Sequence, residues 1–131
     1  MQYVMLIYEP EQQFLERHRP DDDDAHWGAW RAYHQALVDA GIYVGGSPLE
    51  RPDTTATTIR VRGGERQVQD GPYADTKEQL GGFIILELPT LDAALDWASR
   101  CPAAEYGVVE VRPMADLTRI FGPGHGGRAR G

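Results

Sequence analysis

FIILEL, residues 83–88, is the stretch that decides the fold, because five of its six residues are apolar. A half-buried strand alternates apolar and polar residues, whereas a short and nearly continuous apolar run is typical of a strand buried on both faces. Residues 3–8, YVMLIY, form a second run of this kind, closed by Glu9-Pro10. Both runs are therefore predicted to be strands with two apolar faces.

Two segments have the spacing of amphipathic helices. The first, at about 23–40, places apolar side chains three and four residues apart and starts in the acidic run 21–24, which suits a helix N-terminus. The second, 91–101, follows Thr90 as its N-cap and is ended by Pro102. The predicted apolar face of the second helix comprises Leu91, Ala94, Leu95 and Ala98.

Further strands are predicted from β-branched and apolar residues. They lie at residues 42–44, 54–62, 65–69 and 107–112. A turn at Gly63-Gly64 joins the middle two into an antiparallel hairpin. With this hairpin inserted, the order of elements is close to a split βαβ arrangement, so the fold class is predicted to be α+β and ferredoxin-like.

Two helices can cover only one face of a four-stranded antiparallel sheet, which leaves the second apolar face of the two central runs without cover. An exposed hydrophobic patch of that size is rare in a monomer, so we expect a homodimer packed sheet to sheet, a dimeric α+β barrel. The domain is expected to span residues 1–115. Residues 116–131 are expected to be an extension that is disordered at its end, where GPGHGGRARG offers no core-forming side chain.

Composition narrows the choice of partners. The chain has 131 residues, of which 41% are hydrophobic and 25% charged, and a net charge of −7, as expected for one acidic globular domain. Nucleic acids and anionic membranes reward clustered Lys and Arg, so neither is an expected partner. No apolar run approaches the roughly 20 residues of a membrane span. The single cysteine, Cys101, and the absence of a basic signal-peptide start in MQYVMLIYEP indicate a cytoplasmic protein.

Three stretches carry a resemblance to a known family. They are DGPYADTKEQLGGF (70–83), ELPTLDAALDWASRCP (87–102) and VEVRPM (109–114). Together they resemble the YCII-related proteins of the DGPF subgroup, over roughly residues 2–114. Tyr73 stands where the subgroup usually has Phe, and Asp75 stands where it usually has Glu.

The resemblance implies a fold, a chemistry and a regulatory context. The family fold is the dimeric α+β barrel, and related proteins include cofactor-free lyases, isomerases and monooxygenases that act on small cyclic or aromatic compounds. Members of the DGPF subgroup often accompany extracytoplasmic-function sigma factors, so a sigma factor is a candidate partner. The family's catalytic pair is a His on the first helix and an Asp on the central loop. Asp70 matches the Asp, whereas the His position falls on Trp30 and His34 lies one turn further on.

The candidate site residues each have a structural and a functional interpretation. Asp70 either caps its turn, with Gly71 supplying freedom and Pro72 rigidity, or accepts a proton at the mouth of a cleft. His34 is either a hydrogen-bonded core residue or an acid–base group, since imidazole changes charge near neutral pH. The remaining candidates are binding residues: Trp30 and Tyr73 as apolar walls, and Lys77 as a positive charge for an acidic substrate.

Residues 75–79, DTKEQ, fit two overlapping capping boxes, Asp75 with Glu78 and Thr76 with Gln79. They are therefore predicted to form a single helical turn that Gly81 closes. Metals and cofactors are not expected, because the sequence has no HExxH, CxxC or EF-hand spacing. The acidic run 21–24 and His26 point around a helix and do not converge on a cation.

The sequence supports two functions of different classes. In the first, the protein is a cofactor-free lyase or isomerase that uses Asp70, with His34, to move a proton on a small cyclic or carbonyl compound. In the second, it is a ligand-binding or regulatory module associated with sigma-factor-dependent transcription, without catalysis. Whether the chain is an enzyme stays open at this level, and so does a third reading as a scaffold.

Overall fold

The computed structural model describes residues 1–17 and 23–125, with side chains from residue 26 onward in the second range. The strands are β1 (Gln2–Pro10), β2 (Tyr43–Pro48), β3 (Thr57–Arg62), β4 (Glu65–Asp70), β5 (Glu78–Glu87) and β6 (Val108–Pro113). The helices are α1 (Glu11–Glu16), α2 (Asp23–Asp39), α3 (Pro52–Thr55), α4 (Leu91–Ser99), α5 (Ala103–Tyr106) and α6 (Leu117–Phe121). The predicted capping by the acidic run 21–24 and the predicted disorder at 126–131 lie outside the described residues.

Four strands form one antiparallel sheet in the order β2-β5-β1-β6. The two apolar runs pair with each other at its centre, with Tyr3 opposite Leu86 and Met5 opposite Ile84. Strand β6 joins the free side of β1, where Pro113 lies opposite Tyr3. This order is that of a split βαβ sheet, so the predicted α+β, ferredoxin-like fold is confirmed.

The core lies between this sheet and helices α2 and α4. Alternate residues of β1 are buried. Met5 of β1 and Leu37 of α2 are fully inaccessible to solvent. The buried cluster comprises Tyr3, Met5, Ile7, Tyr33, Leu37, Leu86, Leu88, Ala94, Ala98, Cys101 and Ala103. Because successive side chains of a strand point to opposite faces, the odd-numbered residues of β1 define the helix-covered face.

The opposite face of the sheet is apolar and only half-buried. On β1 it carries Val4, Leu6 and Tyr8, and the register places Ile85 and Phe83 of β5 beside the first two. Both central strands therefore have two apolar faces, of which the second is left partly open to solvent in the single chain. The homodimer that would cover this open sheet face stays a prediction.

The predicted hairpin is present as a separate two-stranded sheet of β3 and β4, with Ile59 opposite Val68. Its first strand is shorter than predicted, because Pro52–Thr55 form a helical turn. In that turn the N–H of Thr55 donates to the carbonyl of Arg51, and Thr55 Oγ1 donates to the same oxygen at 2.7 Å. The first threonines of the hydroxyl-rich run therefore belong to this turn, and the strand begins only at Thr57.

The prediction of a helical turn at residues 75–79 is wrong, because the structure has no helix there. Glu78 is already the first residue of β5 and pairs with Pro10 of β1, so its backbone groups belong to a strand ladder. Gly81, predicted to close that turn, lies with Gly82 inside β5 at a register shift opposite Ile7 and Tyr8. A capping motif cannot nucleate a helix when the backbone it would cap is taken up by a neighbouring strand.

Helix α4 begins as predicted, since the N–H of Ala93 donates to Thr90 Oγ1 at 3.1 Å. The predicted apolar face is only half right. Ala94 and Ala98 are buried, whereas Leu91 and Leu95 are 47% and 46% exposed. The small alanines form the stripe that packs on the sheet. Among the described residues, no helix is long and apolar enough to cross a membrane.

Candidate functional site

A cavity of about 410 Å³ opens between helix α2 and the sheet, near the ends of β2 and the start of β5. Helix α2 contributes three aromatic side chains to its wall, and the sheet contributes Ile7, Ile84 and the small residues of β2. The aromatic residues from α2 are Trp27, Trp30 and Tyr33. Cavities of this size with largely apolar walls are typical of small-molecule sites.

His34 is a polar group in the wall of this cavity. Its ring packs edge-on against Tyr43 of β2, with 4.6 Å between ring centroids and an interplanar angle of 75°. The side chain is exposed, so His34 is not part of the buried core, and its acid–base role stays a prediction. An imidazole placed here can exchange protons both with solvent and with a bound molecule.

A buried ion pair lies at the β1 end of the cavity. Arg17 Nη2 donates to Glu9 Oε1 at 2.7 Å, and the two side chains are only 7% and 2% exposed. The same Nη2 donates to the carbonyl of Gly81 at 2.9 Å, and Nη1 donates to the carbonyl of Leu49. Buried charges are tolerated when they are paired and hydrogen-bonded in this way.

The second oxygen of Glu9 continues the network away from Arg17. Tyr106 donates its hydroxyl proton to Glu9 Oε2 at 2.8 Å, and Trp30 Nε1 donates to the Tyr106 hydroxyl oxygen at 3.2 Å. Burial, reinforced by the charge of Glu9, raises the pKa of Tyr106 far above its ordinary value, so the phenol stays protonated as a donor. Both Glu9 oxygens are therefore occupied, and Trp30 is held in the cavity wall by its indole nitrogen.

Strand β5 needs a glycine at position 81, beside the Glu9–Arg17 pair, because no side chain fits there. A β-carbon at Gly81 would lie 2.6 Å from Glu9 Oε1 and 3.0 Å from Phe14 Cζ. The register shift in β5 brings its backbone against Glu9 at the position where a side chain would displace the carboxylate. The glycine is thus required by the polar site, and it does not break the strand.

The structure brings together only two of the residues predicted to form the site. Trp30 and His34 line the cavity, one turn apart on α2. Asp70 is exposed at the end of β4, and the N–H of Gly71 closes the hairpin base on the carbonyl of Ala56 at 2.7 Å. The catalytic role of Asp70 and the binding role of Gly71 stay predictions.

Pro72, Tyr73 and Lys77 follow the hairpin and lie apart from the cavity lining. Tyr73 is 76% exposed, with the Arg60 guanidinium 5.6 Å from its ring centroid, and Lys77 is also exposed. Among the described residues that line the cavity, none comes from the loop 70–77. The predicted binding roles of these three residues therefore have no counterpart in a single chain.

Sequence reasoning missed Glu9, Arg17 and Gly81, although one signal was present. Glu9 continues the series Tyr3, Met5 and Ile7, whose members share the buried face because side chains alternate along a strand. A carboxylate at the next position of a buried face requires a partner. Nothing in the spacing of the sequence indicates that Arg17 is this partner.

Metal ligands and thiols are two further kinds of reactive group. Within the described ranges, no group of three or more His, Cys, Asp or Glu side chains is arranged to hold a metal ion. Cys101 is buried, and burial raises the pKa of its thiol to about 11. Near neutral pH the Cys101 thiol is therefore protonated and closed to solvent.

Fold and cavity together define a small α+β domain with an aromatic-walled cavity. The chain belongs to the YCII-related domain family, which matches residues 1–118. It is 36% identical over 128 residues to an uncharacterised protein of Rhizobium meliloti (strain 1021), with 95% of this chain and 97% of that protein covered. Placement in the DGPF subgroup stays a prediction.

The chain is also similar to solved structures. One of them is the 5-chloro-2-hydroxyhydroquinone dehydrochlorinase of Burkholderia phenoliruptrix AC1100 in complex with 2,5-dihydroxybenzoquinone. The two chains are 19% identical, with a TM-score of 0.47 and coverage of 88% of this chain and 95% of that one.

Proposed function

We propose that this protein is a cofactor-free lyase or isomerase that moves a proton on a small cyclic or carbonyl compound. One observation carries the proposal: an imidazole, that of His34, lies in the wall of an otherwise largely aromatic and aliphatic cavity of about 410 Å³. The volume suits a single ring with a few substituents. The aromatic wall suits a flat molecule, because ring faces stack favourably.

The chemistry requires only the chain's own groups. In its neutral form His34 removes a proton from carbon next to a carbonyl, the electron pair moves onto the carbonyl oxygen, and an enolate forms. In isomerisation the imidazolium returns the proton at another carbon. In elimination a leaving group departs from the neighbouring carbon as the electron pair moves back.

The predicted partnership of Asp70 with His34 needs a second copy of the chain. In one chain Asp70 lies on the exposed hairpin, outside the cavity lining. We propose a homodimer through the open sheet face. In this dimer the hairpin of one chain would bring its Asp70 carboxylate to the cavity of the other chain. His34 therefore carries the proposed proton transfer, and Asp70 is its predicted assistant in the assembled dimer.

The test is deuterium exchange from D₂O into cyclohexanone and cyclohex-2-enone, followed by NMR, with elimination substrates added if exchange occurs. His34→Gln should lower the exchange rate at least about 100-fold, the usual contribution of a general base. His26→Gln is the matched control, since His26 lies on the same helix outside this cavity lining. Equal rates for wild type and His34→Gln, or no exchange above buffer, would refute the catalytic proposal.

The alternative is a ligand-binding or regulatory module in sigma-factor-dependent transcription. It is favoured by the occupation of both Glu9 oxygens, which removes the buried carboxylate as a second acid–base group. Under this alternative the cavity binds ring compounds without turning them over, and a co-expressed sigma factor is retained on the immobilised protein. Retention that depends on a cavity ligand would favour this function over the enzyme.

A further inference from the structure

We propose that Arg17 binds an oxygen of the ligand, so that the cavity selects small ring compounds bearing an anionic oxygen, as a carboxylate or an enolate. This inference rests on the proposed function only in taking the cavity as the ligand site. Arg17 lines the cavity with a side chain that is 7% exposed. Its Nε is buried and has no hydrogen-bond acceptor in the part of the chain that the structure describes.

The guanidinium has donors to spare. Arginine carries five N–H donors, and the structure uses three of them, two from Nη2 and one from Nη1. A buried N–H without an acceptor is rare and costs free energy comparable to a lost hydrogen bond. Nε is closed to solvent in the single chain, so a ligand oxygen that removes this cost must displace part of the wall that covers it. With that displacement the vacant donor becomes a recognition element.

The donor is also held in place before a ligand arrives. The Arg17 guanidinium carbon lies 4.7 Å from the ring centroid of Phe14 and 5.6 Å from that of Trp27. Two main-chain carbonyls and the Glu9 carboxylate fix its plane. Binding therefore does not have to order a flexible cation, which is the usual cost of recruiting an arginine.

The character of the matching group follows from Glu9. Its two oxygens already accept from Arg17 and Tyr106, so this end of the cavity offers a ligand donors and no vacant carboxylate. A guanidinium forms its strongest hydrogen bonds with anionic oxygens. The Arg17–Glu9 pair carries no net charge, so the selection rests on the vacant donor and not on a local excess of positive charge.

The experiment uses benzoate and indole as probes of similar shape, since indole has a donor nitrogen and no oxygen. Both are titrated into the ¹⁵N-labelled wild-type protein, and the arginine side-chain Nε–H signals are followed by NMR. The Arg17 signal is assigned from its disappearance in Arg17→Lys. Benzoate should shift the Arg17 Nε–H signal and indole should not, even where both occupy the cavity.

Two variants should change the affinity for benzoate in opposite directions. Arg17→Lys keeps a cation beside Glu9 but lacks Nε–H, and should weaken benzoate binding at least tenfold while leaving indole binding within twofold. Glu9→Gln removes the competing carboxylate and should tighten benzoate binding. Thermal unfolding of each variant establishes that it is folded, and the wild-type NMR titration stands without them.

The result that overturns the proposal is benzoate binding, or failure to bind, with an unmoved Arg17 Nε–H signal. Equal affinity of wild type and Arg17→Lys for benzoate overturns it as well. Benzoate bound at Arg17 without turnover of any carbonyl compound would refute the proposed enzyme and leave this inference standing. Turnover that is indifferent to Arg17→Lys would do the reverse.

Discussion

At Gly81 a single missing side chain makes room for two buried charges. Gly81→Ala would place a methyl group 2.6 Å from Glu9 Oε1, so the carboxylate must move and its bond to Arg17 must stretch. We expect a loss of about 1–3 kcal/mol in the free energy of unfolding, as for an overpacked site. Urea denaturation measures it.

Gly28→Ala is the matched control for Gly81→Ala. Gly28 lies within α2, and a β-carbon there would meet nothing within 4 Å. Alanine is the better helix former, so this variant should be more stable by roughly 0.5–1 kcal/mol. Opposite signs for the two substitutions are the prediction. A neutral Gly81→Ala would mean that the Glu9–Arg17 pair tolerates displacement.

Cys101 gives a second prediction at this scale. Its thiol is 2% exposed and its pKa is raised by burial from 9.0 to about 11. At pH 8 the native thiol should therefore resist iodoacetamide and react only after denaturation in urea. Because the folded pKa is the higher one, stability from the protonated thiol is complete below pH 9 and falls as the pH rises toward 11. Rapid native-state alkylation at pH 8, followed by mass spectrometry, would contradict this.

Single residues also show which parts of the candidate site could be predicted from the sequence. The alternation Tyr3, Met5 and Ile7 predicts a buried face, and Glu9 follows from it by the same period of two. The contact of Arg17 with Glu9 could not be predicted, because it depends on the direction that α1 takes after β1. The sequence identifies His34 as a candidate, but only the structure shows that it lines the cavity beside Tyr43.

At the scale of elements, the hairpin β3–β4 is nearly independent of the body. Within residues 57–70 none is buried, and Ile59, Val61 and Val68 are each more than half exposed. The hairpin base is closed by one main-chain bond of 2.7 Å from Gly71 to Ala56. An isolated two-stranded hairpin is at best marginally stable, so its role lies in contacts beyond its own chain.

Replacing residues 57–70 by a Gly-Ser linker tests that role. We expect the melting temperature of a monomeric form to change by no more than a few degrees, because the deletion removes no core side chain. The deletion also removes Asp70. If proton exchange into cyclic ketones survives it, Asp70 has no catalytic part. A linker of the same composition inserted at Gly63-Gly64, which keeps the hairpin, is the control.

The segment 75–79 shows why elements can be mispredicted when their local signals are sound. Its residues fit two capping boxes, yet β1 offers Glu78 a ladder partner in Pro10. Pairing along a nine-residue strand outweighs one turn of helix, which is costly to nucleate. Strand pairing across the chain is non-local, so neither propensity nor capping can reveal it. The central strands and long helices, which have strong periodic patterns, were predictable.

For the whole molecule, the open sheet face predicts the state of assembly. Sedimentation should give a mass of twice the 14.6 kDa of the chain. Leu6→Lys places a charge in that face and should give a folded monomer, since the lysine stem can reach solvent. Ile59→Lys on the exposed hairpin is the control and should stay dimeric. A wild-type monomer at micromolar concentration would contradict the sheet-to-sheet dimer.

Helix α2 gives the protein a built-in optical reporter. Of the three tryptophans in the chain, Trp27 and Trp30 lie in the cavity wall on α2, whereas Trp97 belongs to α4 and is not part of the lining. A ring compound that fills the cavity lies beside the first two indoles and not beside the third. Intrinsic fluorescence can therefore rank unlabelled compound libraries by quenching, with Trp97 as the reference emission, before a substrate is known.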